Sequence, residues 1–164
     1  MPFERAEGRL LRSFTLPGPD GQPVDTFRFR GWNSLIILFH EGAACAPCAD
    51  LLRGIAADAG RFEQEGARIL SISRDEGPAD RALAESIAPA VLTLFDPEGK
   101  ANRAQGFRLP TLVITDRYGE IFALWRTDED QTLPTPDDVY GWLVWIEAQC
   151  AACTTINWAK LGEA

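Results

Sequence analysis

A cysteine pair lies between a strand-like run and a helix-like run, and this arrangement constrains most strongly what the chain can fold into. Residues 34–39 form a continuous apolar run, typical of a parallel strand that is covered on both faces. Cys45-Ala-Pro-Cys48 comes shortly after it, and the next residues place apolar side chains at helical spacing. The sequence therefore predicts an α/β protein in which a strand delivers Cys45 to the start of a helix.

This position favours redox chemistry at the two sulfurs. The first turn of a helix has unpaired N–H groups and the positive end of the helix dipole, and both favour thiolate over thiol. Cys45 is therefore predicted to be a nucleophile near neutral pH. Cys48 follows one helical turn later, within disulfide reach, so it can resolve a mixed disulfide on Cys45. The alternative interpretation of the pair is half of a zinc site.

The remaining elements are predicted from apolar periodicity and from turn residues. A Pro/Gly/Asp cluster separates residues 8–16 from residues 22–29, which indicates a β-hairpin ahead of the main fold. The helix after Cys45 is predicted to continue until Gly66. Strands are then expected at 67–73, 91–95, 111–115 and 120–126, with helices at 78–87 and 100–105. A last helix should begin after Thr135, with a buried face formed by Val139, Trp142, Leu143, Ile146 and Cys150.

Length and charge limit the possible classes of protein. The 164 residues suggest one domain, with 1–30 as an N-terminal hairpin extension and 150–164 as a C-terminal tail. A formal charge of −8 opposes binding to nucleic acid or to an anionic membrane. Charges interrupt the first residues, and the sequence contains no apolar stretch long enough to span a bilayer, so a cytoplasmic location is expected. In a reducing cytosol, two Cys-x-x-Cys pairs favour catalysis, redox sensing or metal binding over structural disulfides.

The order of elements resembles the thioredoxin fold. Three further segments narrow the resemblance to the redoxin and peroxiredoxin-like branch, which includes the alkyl hydroperoxide reductase/thiol-specific antioxidant proteins. They are Phe14-Thr-Leu-Pro17 with Asp20-Gly-Gln-Pro-Val24, the strand that ends in Cys45-Ala-Pro-Cys48, and Thr111-Leu-Val-Ile-Thr-Asp116 with Gly119. The resemblance implies a three-layer α/β/α sandwich with a mixed central sheet.

The same resemblance assigns roles around a proline. Pro110 matches the position at which thioredoxin-like proteins carry a cis-proline beside the dithiol, which makes it a candidate catalytic residue together with Cys45 and Cys48. The backbone at Leu109 and Thr111 would then bind an extended substrate segment. The alternative for Pro110 is an ordinary trans proline that starts a strand.

Three other residues are candidates for proton transfer or thiolate stabilisation. His40 and Glu41 follow the central strand, and Arg108 comes two residues before Pro110. The alternatives are a hydrogen-bonded structural histidine, a solvated loop carboxylate and a surface charge. The sequence also departs from the thioredoxin pattern: Phe39 stands where that pattern has a buried carboxylate, and Ala44 stands where it has a tryptophan. These departures argue against efficient general reduction of protein disulfides.

A second pair, Cys150 and Cys153, lies near the end of the chain. Helical periodicity places both on the same face as Val139 and Ile146. They are a candidate second redox pair, with two small buried apolar side chains as the alternative. About fourteen residues at a rise of ~1.5 Å carry Cys150 on the order of 20 Å from Cys45, so direct relay or a shared zinc ion is not expected.

The predicted function is that of a thiol–disulfide oxidoreductase without a cofactor or metal. Its substrate would be a disulfide-bearing protein or a small disulfide, with electrons from a separate dithiol reductase, and a homodimer is left open. The first alternative is a thiol peroxidase acting on hydroperoxides. The usual peroxiredoxin segment, Pro-x-x-x-Thr-x-x-Cys, is missing because Leu38 and Gly42 occupy its key positions, so this alternative requires a Cys-x-x-Cys variant. The second alternative is a redox-dead or metal-binding interaction module on the same fold.

Overall fold

The centre of the fold is a mixed sheet. The computed structural model describes residues 3–4, 8–126 and 133–149. Within these ranges the sheet has six strands, β1 (Phe3–Glu4), β4 (Ser34–His40), β5 (Ala67–Ser73), β6 (Val91–Phe95), β7 (Thr111–Thr115) and β8 (Ile121–Arg126), in the spatial order β1-β8-β7-β4-β5-β6. Strands β4, β5 and β6 are parallel, whereas β7 is antiparallel to both β4 and β8. The predicted mixed sheet is confirmed.

Strand β4 is buried along its whole length because both faces of the sheet are covered. Ile36 and Leu38 point to one apolar cluster, formed with α1 (Ala46–Ala57), α3 (Pro78–Ile87) and α5 (Pro136–Glu147). The alternate residues Leu35, Ile37 and Phe39 point to a second cluster. That cluster is completed by residues before β4 and around α4 (Lys100–Gln105), namely Leu11, Leu16, Phe29, Ala101 and Phe107. The strand therefore holds three layers together, and the predicted α/β class is confirmed.

The helix after Cys45 does not continue to Gly66 as predicted. It ends at Ala57, and α2 (Ala59–Gln64) follows after a break at Asp58, whose backbone has φ −127° and ψ 30°. The Asp58 N–H bonds to the Ile55 carbonyl, three residues back, which tightens the last turn of α1. The break redirects the chain and leaves Phe62 fully buried in the cluster under α1.

The N-terminal hairpin is shorter than predicted. Its strands are β2 (Thr15–Pro17) and β3 (Pro23–Asp25), which form a separate two-stranded sheet. The preceding residues instead run beside the β7–β8 turn, where the Leu11 N–H bonds to the Gly119 carbonyl over 2.8 Å. Residues 26–29 form a 3₁₀ turn because the Asp25 carboxylate caps it by accepting the Phe27 N–H.

The last helix begins where its capping residues predict. The Thr135 hydroxyl accepts the Asp138 N–H, and the Asp138 carboxylate accepts the Thr135 N–H in return. Val139, Leu143 and Ile146 are buried as predicted, whereas Trp142 is only partly buried. The last member of the predicted face, Cys150, lies outside the described residues. None of the helices in the described ranges has the length and apolarity needed to cross a bilayer.

Candidate active site

Cys45 and Cys48 form a disulfide at the first turn of α1. Cys45 is the N-cap residue, Pro47 lies in the first turn, and the two Cα atoms are 5.3 Å apart. Cys45 is partly exposed, whereas Cys48 is fully buried in the apolar cluster under α1. The two cysteines therefore differ in exposure, and Cys45 is the one that a molecule in solvent can contact.

The start of α1 leaves the Cys45 sulfur beside backbone groups that favour a negative charge. No side chain caps the helix at Cys45, and the first helical hydrogen bond described runs from the Ala49 N–H to the Cys45 carbonyl. The positive end of the helix dipole faces the N-cap position. Once the disulfide is reduced, this environment favours the thiolate of Cys45.

The loop between β4 and α1 is fixed by hydrogen bonds to its backbone. The Gly42 N–H is donated to His40 Nδ1 at 3.1 Å, and the Cys45 N–H is donated to the Gly42 carbonyl at 3.1 Å. The Ala43 N–H is donated to Asp80 Oδ1 at 2.6 Å, which connects the loop to α3. These bonds set the position from which Cys45 enters α1.

His40 is a buried member of this hydrogen-bond network. Its Nδ1 accepts the Gly42 N–H, so its Nε2 carries the proton and donates it to Ser71 Oγ at 2.7 Å. Burial lowers the pKa of His40, and the nearby Asp80 carboxylate offsets this only in part. Both ring nitrogens are occupied, so the geometry supports the structural alternative over proton transfer to the cysteines.

The lowered pKa of His40 predicts a loss of stability in weak acid. The unfolded chain takes up a proton near the ordinary histidine pKa of about 6.5, whereas the folded state resists it. The stabilising contribution is therefore full above that pH and is lost as the pH falls from there toward the folded-state pKa. Urea unfolding at pH 7.5, 6.5 and 5.5 should show the free energy of unfolding falling, by at most about 1.4 kcal/mol per pH unit.

The matched control is His40→Asn, which removes the only histidine of the chain. This variant should start from a lower stability but lose less of it between pH 7.5 and 5.5. Parallel curves for the two proteins would show that the imidazole does not cause the decline.

Pro110 lies at the same edge of the sheet as the end of β4. Strands β4 and β7 are antiparallel with Phe39 opposite Thr111, so the residue before Thr111 lies beside the end of β4. The Leu109–Pro110 peptide bond is cis. Leu109 and Pro110 are partly exposed, whereas Thr111 is buried and its hydroxyl is donated to the Arg108 carbonyl. The accessible part of this segment is therefore Leu109 and Pro110 and not the Thr111 side chain.

The other predicted site residues have no described contact with the disulfide. Glu41 and Arg108 are exposed, and within the described part of the chain neither side chain forms an ion pair. Cys150 and Cys153, the candidate second redox pair, lie outside the described residues. Over those residues, no three histidine, cysteine or acidic side chains are grouped closely enough to hold a metal ion.

Asp80 is the residue of the site that the sequence analysis did not identify. It is 6% exposed and lies in the first turn of α3, where its second oxygen accepts the Gly77 N–H at 3.1 Å. The only sequence signal is an acid three residues after Gly77 at the start of a helix, a spacing that lets the carboxylate accept the Gly77 N–H. Its contact with the Ala43 loop depends on the packing of α3 beside α1.

Comparisons with known proteins agree with this architecture. The profile of the AhpC/TSA family matches residues 8–124. No curated protein sequence gives a match to the chain. Peroxidoxin BcpB from Mycobacterium tuberculosis is similar in structure, with a TM-score of 0.73, 17% identity, and coverage of 90% of this chain and 100% of that one.

Two disulfide oxidoreductases are also similar in structure. The thioredoxin domain of a thiol-disulfide oxidoreductase from Bacteroides vulgatus has a TM-score of 0.67 and 17% identity, with coverage of 87% of this chain and 99% of that one. A secreted disulfide oxidoreductase from Mycobacterium tuberculosis has a TM-score of 0.65 and 16% identity, with coverage of 80% and 95%. At these identities the likeness establishes a shared fold.

Proposed function

Because the chain belongs to the AhpC/TSA family, we propose that it is a thiol–disulfide oxidoreductase that cycles Cys45 and Cys48 between dithiol and disulfide. One observation carries the proposal: a partly exposed Cys45 at the start of α1 is bonded to a fully buried Cys48. This arrangement provides an accessible attacking sulfur and a protected resolving sulfur on the same helical turn.

The proposed reaction is a pair of exchange steps. The Cys45 thiolate attacks one sulfur of a substrate disulfide, which breaks the substrate S–S bond, forms a mixed disulfide and releases one substrate thiolate. Cys48 then loses its proton and attacks the Cys45 sulfur, which releases the second substrate thiolate. The substrate gains two electrons, and the protein is left with the Cys45–Cys48 disulfide. A separate dithiol reductase would restore the dithiol by the same exchange in reverse.

The substrate is proposed to lie against the Leu109–Pro110 backbone, since these residues are partly exposed at the edge where β4 ends. A disulfide-bearing protein with an extended segment, or a small disulfide, fits this description. We propose the cytoplasm as the compartment, where a dithiol reductase would be available as electron donor.

Peroxide reduction is the second candidate, and the family match together with the structural likeness to a peroxidoxin favours it. In this reaction the Cys45 thiolate attacks a peroxide oxygen, becomes a sulfenate and releases water or an alcohol. The sulfenate would then take up a proton and condense with the Cys48 thiol to give the same disulfide and water. The weakness of this candidate is Gly42, which supplies no hydroxyl where peroxiredoxins use threonine to orient the peroxide.

Single-turnover oxidation distinguishes the candidates. We would reduce a Cys150→Ser/Cys153→Ser protein, which keeps only the Cys45–Cys48 pair, and mix it with either oxidised glutathione or hydrogen peroxide. Alkylation and mass spectrometry would follow the loss of free thiols. A much faster reaction with the disulfide is the expected result. A faster reaction with peroxide would favour the peroxidase, and no reaction with either would favour the redox-dead or metal-binding module.

A further inference from the structure

A buried carboxylate from a different helix contacts the loop that leads to the redox pair. Asp80 Oδ1 accepts the Ala43 N–H at 2.6 Å, two residues before Cys45, and Asp80 Oδ2 accepts the Gly77 N–H. Its side chain has only 6% of its surface exposed. One carboxylate oxygen therefore accepts a hydrogen bond at the start of α3, and the other accepts one from the loop that precedes Cys45.

The loop closely surrounds this carboxylate. Gly42 has φ +129°, and a Cβ added there would lie 2.5 Å from Asp80 Oδ1 and 3.0 Å from the Asp75 Cβ. The approach is thus possible only because Gly42 has no side chain. Such a fit indicates that the position of Asp80 and the path of the loop depend on each other.

The two side chains that approach Gly42 most closely, Asp80 and Asp75, are both acidic. Asp75 approaches Gly42, and Glu41 lies in the loop itself, but both are exposed and their charges are screened by water. His40 also faces the loop, and its buried ring is largely neutral because burial lowers its pKa. Among the described residues that approach the loop, Asp80 carries its charge in a buried position, where electrostatic effects are larger than in water.

We propose that Asp80 is a positioning residue of the redox site, which fixes the Ala43 loop before Cys45 and whose negative charge makes the pair more reducing. A nearby negative charge disfavours the thiolate that forms on reduction. The disulfide is then more stable relative to the dithiol, and the reduction potential is more negative. The inference rests on the proposed dithiol–disulfide cycle but concerns the equilibrium of the pair and not its substrate.

The test is an equilibrium titration with dithiothreitol. Reduced dithiothreitol gives two electrons to the Cys45–Cys48 bond and closes its own disulfide, while its thiol protons pass to the cysteine sulfurs or to water. The variant is Asp80→Asn, in which the amide keeps an oxygen for the Ala43 N–H but carries no charge. All proteins carry Cys150→Ser/Cys153→Ser so that only one pair titrates.

Asp138 provides a matched control. Its carboxylate likewise accepts the N-cap N–H from the third position of a helix, but in α5 and from Thr135. Asp138→Asn therefore weakens a helix start in the same way without touching the redox loop. In Asp80→Asn the equilibrium with dithiothreitol should shift toward the dithiol by about three- to tenfold, or roughly 15 to 30 mV to a less negative potential. In Asp138→Asn it should stay within about twofold of the starting protein.

Two further measurements separate charge from structure. Asp80→Glu keeps the charge and is an acceptable capping-box residue, so its equilibrium should stay close to that of the starting protein. The second measurement is hydrogen exchange of the unsubstituted protein, in which the Ala43 N–H should exchange slowly with solvent. This measurement does not depend on whether the Asp80→Asn variant folds. Three results would each overturn the inference. The first is an equal equilibrium for Asp80→Asn and Asp138→Asn, and the second is a shift in Asp80→Glu as large as in Asp80→Asn. The third is rapid exchange of the Ala43 N–H. Slow turnover of every disulfide substrate would overturn the proposed function while leaving this equilibrium measurable.

Discussion

Replacement of Cys45 by serine is expected to reduce disulfide turnover on the order of 10³-fold or more, because it removes the sulfur of the more exposed cysteine of the pair. A serine hydroxyl at this position is not ionised near neutral pH and cannot form a disulfide. Cys48 cannot take over the attack, since it is fully buried in the cluster under α1. The rate should be measured as glutathione release from oxidised glutathione by the pre-reduced protein, after the reductant has been removed.

Replacement of Cys48 by serine is the informative partner of this experiment. The first exchange step should survive, because Cys45 keeps its place at the start of α1, but the mixed disulfide should accumulate and be detectable by mass spectrometry. Cys150→Ser/Cys153→Ser should keep most of the activity. If Cys48→Ser lost the first step while Cys45→Ser kept it, the assignment of attacking and resolving sulfurs would be reversed.

Replacement of Gly42 by alanine is expected to destabilise the protein by about 3 kcal/mol. The backbone at φ +129° disfavours any residue with a Cβ, which costs about 1–3 kcal/mol. The new methyl group would also meet Asp80 Oδ1 at 2.5 Å and the Asp75 Cβ at 3.0 Å, and overpacking of this kind costs a further 1–3 kcal/mol. The measurement is the free energy of urea unfolding of the oxidised protein at pH 7.5.

Gly21 offers the control for this substitution. It has φ +77°, and a Cβ added there would meet no atom within 4 Å, so Gly21→Ala carries the backbone cost alone, about 1 kcal/mol. The difference between the two variants therefore reports the contact with Asp80 and Asp75 together with the extra backbone cost of φ +129° over φ +77°. Equal destabilisation would mean that the loop has room for a side chain and that its close fit around Asp80 does not exist in solution.

The order of elements and the place of the redox pair were predictable from the sequence. The apolar run before Cys45 and the helical spacing after Cys48 are local patterns, and local patterns specify strands and helix starts well. The N-cap of α5 was predictable for the same reason, since Thr135, Pro136 and Asp138 are neighbours in sequence. The break at Asp58 was not predictable, because the apolar spacing continues through it. The chain turns there as Phe62 packs into the buried cluster, and this packing is a tertiary contact.

One part of the candidate site was likewise predictable from the sequence, and another part was not. Cys45 and Cys48 lie three positions apart, so helical geometry alone brings their sulfurs within disulfide reach, and the sequence determined that chemistry. By contrast, the hydrogen bond between Asp80 and Ala43 connects residues 37 positions apart, and the one between His40 and Ser71 connects residues 31 positions apart. Only the packing of parallel strands and their helices brings such groups together, because their contacts depend on the path of the whole chain. The tertiary structure therefore decided which buried groups hold the loop before Cys45, while the sequence decided that a redox-active pair would follow it.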